Sequence, residues 1–231
     1  MKSATLRLAL LVLLMTPFSV FVLADSPDDG WKPLFNGKDL DGWVQRGGKA
    51  KYRVEDNQIV GNSVPNTKNS FLCTKRDYAD FILELEFKVD PKLNSGVQIR
   101  SHCFDEEKTV EIEGKKFKVP AGIVHGYQVE IDPSERSWSG SIYDESRRRR
   151  FLYDLKENEA ARKAFKPNEW NKFRIECRGD SIKTWINGVA AVDLKDSVTP
   201  SGFIALQVHA VGKETEPREV RWRNLRIKEL K

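Results

Sequence analysis

Apolar and polar residues alternate along most of this chain. In FILELEFKV, Phe81, Leu83, Leu85 and Phe87 fall on one side, and Glu84, Glu86 and Lys88 on the other. That period of two marks a half-buried strand. Comparable runs recur at residues 95–102 (SGVQIRSH), 125–132 (HGYQVEID), 170–179 (WNKFRIECRG), 182–189 (IKTWINGV), 202–209 (GFIALQVH) and 220–230 (VRWRNLRIKEL). Asn187–Gly188 and Arg178 to Asp180 read as hairpin turns between them. The stretch TVEIEGKKFKV (109–119), broken at Gly114, predicts a small inserted hairpin. Only Lys156 to Phe165 has helix-forming composition. Many close-spaced strands with no βαβ rhythm predict a two-sheet antiparallel sandwich or jelly roll, all-β with at most one short helix. Its core should contain Phe81, Leu83, Leu85, Phe87, Val97, Ile99, Val129, Ile131, Phe173, Ile175, Leu206 and Val208. Trp31, Trp43, Trp170 and Trp222 lie in similar apolar contexts and are expected there too.

The same alternation sorts the polar residues. Gln128, Glu130 and Asp132 share a face, backed by Val129 and Ile131. Gln98, Arg100 and His102 lie opposite Val97 and Ile99, and Gln207 and His209 opposite Leu206 and Val208. If these strands are neighbours, Gln98, Arg100, Gln128, Glu130, Asp132, Gln207 and His209 converge in one concave patch, with His102 nearer the surface. An ordinary solvated face is rich in Lys, Glu, Thr and Ser, as in FILELEFKV. Glutamine, histidine and arginine mixed with carboxylates suit a polyhydroxyl ligand better. Arg147 to Arg150 sits between Tyr143 and Phe151, and reads either as a solvated loop or as the rim of an anionic or polyhydroxyl site.

The N-terminus sets the compartment. Lys2 and Arg7 flank an apolar run from Leu8 to Ala24, with Val22 and Ala24 at the −3 and −1 positions of a cleavage site. Residues 1–24 are therefore expected to be a signal peptide, leaving a single domain over 25–231 in the periplasm or outside the cell. Removing those two cations from a net charge of +5 leaves +3. With no lysine stripe, that surplus argues against nucleic acid as a partner, and no later segment could hold the mature chain in a membrane. Cys73, Cys103 and Cys177 show no metal-ligand spacing. At least one should be a buried free thiol, and a Cys73–Cys103 or Cys103–Cys177 disulfide stays open.

In order, WKPLFNGKDLDGW, YRVEDNQIVG, NSGVQIR, GYQVEIDPS, WSGSIYDE, EWNKFRIECRGDSIKTWINGV, GFIALQVH and VRWRNLRIKEL resemble the 3-keto-disaccharide hydrolase domain family, over Trp31 to Leu230. The family is also described as 3-keto-glucoside 1,2-lyase and 3-keto-2-hydroxy-glucal hydratase. The resemblance implies export by a bacterium, a concanavalin A-like jelly roll, and a carbohydrate partner such as a 3-keto-glucoside. Many members carry a carboxylate where this chain has Gln128. The implied reaction removes the proton on carbon 2, acidified by the ketone at carbon 3. The carbon 1 substituent is then expelled, and the resulting glycal is hydrated.

Such chemistry needs a base near its working pKa, oxyanion donors and an acid for the leaving oxygen. By residue type and parity, Glu130 or His209 could be the base, and Arg100 with Gln128 or Gln207 the oxyanion donors. Asp132 could be the acid or orient His209. Gln98, Tyr143 and Trp138 join Gln128 and Gln207 as substrate contacts. No cofactor is expected. Glu130, Asp132 and His209 could hold a divalent cation, although no spacing demands one.

Two other readings use the same patch. In a retaining glucanase, Glu130 would pair with Glu135 across about 5–5.5 Å, but Pro133 should end the strand and turn Glu135 away. A non-catalytic carbohydrate-binding module would use Trp138, Tyr143 and Tyr153 as sugar platforms.

Overall fold

The computed structural model describes residues 29–213 and 216–230, so the signal-peptide reading lies outside the described residues. Among these there are seventeen strands and one helix. In chain order they are β1 (Trp31–Pro33), β2 (Trp43–Gly47), β3 (Lys51–Glu55), β4 (Gln58–Asn62), β5 (Ser70–Thr74), β6 (Phe81–Val89), β7 (Ser95–Cys103), β8 (Lys108–Ile112) and β9 (Lys115–Val119). There follow β10 (Val124–Ile131), β11 (Ile142–Glu145), β12 (Phe151–Tyr153), α1 (Glu159–Ala164), β13 (Asn171–Arg178), β14 (Ser181–Ile186), β15 (Val189–Lys195), β16 (Phe203–Val208) and β17 (Glu219–Glu229).

Local chemistry fixes the turns. Asn187 and Gly188 both adopt positive φ between β14 and β15, as do Asp56 and Asn57 between β3 and β4 and Glu113 and Gly114 between β8 and β9. Two successive positive φ angles make the turn whose twist matches a hairpin, and Asn, Asp and Gly tolerate them best. The hairpins assemble into two antiparallel sheets. One has the order β15-β14-β13-β6-β17-β4-β3, with β1 also on β17. The other runs β12-β11-β10-β7-β16-β5-β2, and β8–β9 form a separate hairpin.

The inner faces of the two sheets make the core. Phe81, Leu83, Leu85 and Phe87 of β6 and Phe173 and Ile175 of β13 meet Val97, Ile99, Val129, Ile131, Leu206 and Val208 of the opposite sheet, all buried. The fold is the antiparallel jelly-roll sandwich that the alternation predicts. Each fully buried side chain of this kind contributes about 1.5–3 kcal/mol over its exposed state.

Some expectations change. Trp43 and Trp222 are in the core. Trp31 and Trp170 instead lie half-buried, beneath the guanidinium groups of Arg226 and Arg223 at 4.4 and 3.9 Å. The Arg147–Arg150 run is neither a solvated loop nor a rim as a whole. Arg147 is bound to Asp144 and Thr199, and Arg148 to Asp144 and Asp196, with side chains almost fully buried. Only Arg149 and Arg150 are exposed. All three cysteines are free, with Cys73 and Cys177 buried.

Candidate functional site

β7, β10 and β16 lie side by side, and their outward faces form the floor of a polar cleft. The register fixes who meets whom: Gln128 faces Gln98 and Glu130 faces Gly96 across β7, while Gln207 faces Gly96 from the other side. β11 adds Tyr143 opposite Gln128. The cleft, of about 460 Å³, is lined by Asn69, Asn94, Gln128, Glu130, Arg136, Tyr143, Glu145, Phe151 and His209.

Glu130 is its chemical centre. The carboxylate is buried, yet each oxygen accepts a hydrogen bond: Oε1 from Asn94 Nδ2 at 2.7 Å, and Oε2 from Gln128 Nε2 at 2.8 Å. Burial pushes its pKa up to about 7, against the pull of those two amides; nearby Asp132 raises it further and Arg136 lowers it. Desolvation of the charged form outweighs the hydrogen bonds that favour it. Behind Glu130 the buried row continues. Gln98 Nε2 donates to Gln128 Oε1 at 2.7 Å, and Ser101 Oγ donates to Gln98 Oε1 at 2.7 Å.

Across the cleft, burial also raises the Glu145 carboxyl, while Ser146, His209, Arg149 and Asn69 act to lower it. His209 Nδ1 lies 2.8 Å from the Ala210 carbonyl oxygen. A carbonyl only accepts, so Nδ1 carries the hydrogen and Nε2 is the atom available to a substrate. Arg136 stacks over Trp138 at 4.5 Å and Phe151 at 5.1 Å, and Phe151 packs edge-on against both Trp138 and Tyr143. One cation and an aromatic wall thus face two carboxyl groups and an imidazole.

The structure brings Gln128, Glu130, Tyr143 and His209 to the cleft and places the other candidates elsewhere. Arg100 takes φ +45° in a bulge on β7, where the pairing with both neighbouring strands shifts. One extra residue in a strand reverses facing beyond it, so Ser101 rather than Arg100 shares the face of Gln98. Arg100 is fully buried and runs to the other sheet, donating to the carbonyls of Ala79 and Gly179 and to Asp80. The same bulge gives His102 to the other face, half-buried at a ring–ring distance of 6.0 Å from His125.

Asp132 closes its own loop. It accepts from Ser134 N and Oγ, Arg136 Nε and Trp138 N. Burial works to raise its pKa, but these bonds to Ser134 and Arg136 hold it below the ordinary value. Gln98 and Gln207 are wholly buried beneath the cleft floor, and Trp138 backs the Phe151 wall. Among the described residues no group of three or more His, Cys, Asp or Glu side chains gathers to hold a metal, so Glu130, Asp132 and His209 do not form one. Glu135 is exposed after β10 ends at Ile131. Asn69, Asn94, Arg136 and Phe151 escape a reading by strand parity, because loops and the sheet edge deliver them. Only Tyr143–Asp144–Glu145 carried a usable alternation signal.

The comparisons with known proteins agree with this architecture. A protein from Parabacteroides distasonis described as a candidate glycosyl hydrolase superposes with a TM-score of 0.56 at 20% identity, covering 87% of this chain and 94% of its own. A carbohydrate-binding module from Bacillus subtilis gives 0.55 at 15% identity, over 81% and 96%. The kappa-carrageenase of Pseudoalteromonas carrageenovora, in complex with an oligotetrasaccharide of kappa-carrageenan, gives 0.53 at 10%, over 91% and 98%. At these identities the likeness is one of fold. A search of curated proteins found no match. Residues 30–228 match the model of the 3-keto-alpha-glucoside-1,2-lyase-like domain, and over that span the chain belongs to this 3-keto-disaccharide hydrolase family.

Proposed function

We propose that this protein cleaves 3-keto-glucosides by elimination, with Glu130 as the general base, and that it does so outside the cytoplasm after loss of residues 1–24. The observation that carries the reading is the buried Glu130 carboxylate, raised to about 7 by burial and opening onto the cleft. A base near neutral pKa is the one able both to be ionised and to take a proton at neutral pH.

The ketone at carbon 3 acidifies the carbon 2 hydrogen. Glu130 takes that proton, and the C–H electron pair moves into an enediolate whose oxygen charge Arg136 meets. The pair then forms the carbon 1–carbon 2 double bond as the bond from carbon 1 to the leaving oxygen breaks. Glu145, whose carboxyl pKa is raised by burial and which stands near His209, is the acid that gives a proton to that oxygen. Water then adds to the glycal: its hydroxyl bonds to carbon 1 as Glu145 takes the other proton of the water, and Glu130 returns its proton to carbon 2, for a net hydrolysis. Tyr143 and Phe151 offer ring faces to the sugar, and Asn69 and Asn94 offer amides to its hydroxyls.

The test is incubation with a 3-keto-glucoside and, separately, with its unoxidised parent, following released aglycone and enone absorbance. The keto compound should be consumed and the parent left intact. Glu130→Gln should lower kcat by about 10²–10⁴ while still binding substrate. Cleavage of both compounds alike would replace the proposal with ordinary glycoside hydrolysis. Binding without turnover would make the chain a carbohydrate-binding module, as its Bacillus subtilis neighbour is named.

A further inference from the structure

We propose that Gln98, which does not line the cleft, is a positioning residue for the base: it fixes the direction of the Gln128 amide, so that Glu130 always meets an N–H. This rests on the reading of Glu130 as the base.

The three bonds of the buried row all run one way. Ser101 Oγ donates to Gln98 Oε1, Gln98 Nε2 to Gln128 Oε1, and Gln128 Nε2 to Glu130 Oε2. An amide has one accepting end and one donating end. If Gln128 turned over alone, its Nε2 would face the Nε2 of Gln98 and its carbonyl would face the carboxylate. The row can therefore invert only with Gln98 reversing as well and the Ser101 hydroxyl turning to the carbonyl of Ile99 or Tyr127, 3.1 and 3.4 Å away. Gln98 and Ser101 are fully buried and Gln128 nearly so, where a mismatched polar pair is costly.

Gly96 makes the row possible. A Cβ there would lie 2.5 Å from Gln128 Cδ and 2.6 Å from Cγ, so the Gln128 side chain lies flat over a residue that has none.

The direction matters to Glu130 because its two protonation states want opposite things from Gln128. The carboxylate needs a donor, and the protonated acid needs an acceptor. In the native row, presenting an acceptor means inverting two glutamines and a hydroxyl. Without Gln98, Gln128 can turn over alone, so the acid form gains an acceptor at Oε2 without the reversal of a second buried amide. Gln98 thereby keeps a buried carboxylate from becoming too weak an acid to be ionised at neutral pH. Asn94, half-buried on the cleft lining, donates to the other oxygen, Oε1.

The experiment is a titration of Glu130 that does not depend on turnover. In protein carrying ¹³C-labelled glutamate carboxyl groups, the Glu130 resonance is assigned by its loss in Glu130→Gln. Gln98→Met keeps volume and apolar fit while removing both hydrogen bonds, and should raise the Glu130 midpoint by about one pH unit, a tenfold change in proton affinity. Ser101→Ala removes one oxygen and should raise it by less. On a 3-keto-glucoside, the acid limb of the kcat/KM profile should move by the same amounts. An unchanged midpoint in folded Gln98→Met overturns the proposal. Should that variant not fold, an unchanged midpoint in Ser101→Ala does the same. If wild-type protein leaves 3-keto-glucosides untouched while the midpoints shift as expected, the proposed reaction falls and the positioning role stands.

Discussion

At the scale of single residues, the proposed base Glu130 also bears on stability. Its folded pKa of about 7 lies above the ordinary carboxylate value of 4.5, so the folded chain holds that proton more tightly than the unfolded one. A raised carboxyl contributes stability that is fully present below the unfolded pKa and is lost as pH rises through the folded one. The site therefore destabilises the fold between about pH 4.5 and 7 and above. The difference of about 2.5 units corresponds to on the order of 3 kcal/mol, for a group that is almost wholly desolvated. Glu130→Gln keeps the shape and carries no charge, so it should be no more stable than wild type near pH 4 and clearly more stable at pH 8. Denaturant unfolding at the two pH values measures this. Equal stabilities at pH 8 would mean that Glu130 is ionised in the fold without penalty, and that its base strength is ordinary.

At the scale of elements, strand parity was a sound guide wherever strands are regular. The interior faces of β6, β7, β10, β13 and β16 are readable from the alternation alone, and so is the hairpin at 108–119. Parity failed at Arg100, where β7 departs from the ladder. Nothing in SGVQIRSH announces a bulge, because a left-handed arginine has no sequence marker of the kind Asn-Gly provides, and so Arg100 went to the wrong face. Loops were the other blind spot. The Asp132–Ser139 loop looked like the end of a strand, yet Asp132 folds it back and carries Arg136 to the cleft. Four hydrogen bonds end on that one buried carboxylate. Its ion pair with Arg136 is half exposed and adds little, whereas the bonds from Ser134 and Trp138 are what shape the turn. Asp132→Ala should lower stability by about 1–3 kcal/mol and weaken turnover of a 3-keto-glucoside by releasing Arg136. Unchanged unfolding together with unchanged kinetics would show that the loop holds its shape without Asp132.

At the scale of the whole molecule, two sheets of opposite character close on one core. The outer face of the sheet built on β6 and β17 is a lattice of ion pairs, such as Glu84 with Lys172, Arg174 and Arg226. The outer face of the other sheet holds the cleft. Polar ties cross between the sheets: Arg100 reaches Asp80 and Gly179, Tyr52 donates to the carbonyls of Ser70 and Leu206, and Thr184 to that of Gly140. No covalent tie is among them, since all three cysteines are free. Cys177 is in the main core, and Cys73 sits in a small apolar cluster with Phe71, Val124, Phe203 and Ala205. Burial pushes both thiols up to about 12. Only a thiolate attacks a thiol reagent, and neither thiol ionises near pH 8 until the surrounding structure opens. Cys103, at the end of β7, is partly exposed. In the native protein a thiol reagent at pH 8 should therefore modify Cys103 alone, and all three should react once denaturant unfolds the sandwich. Reaction of Cys73 or Cys177 at the Cys103 rate would mean that the sandwich opens locally and often. A melting temperature that drops on adding reductant would mean that a cross-link forms after all; with none, it should stay where it is.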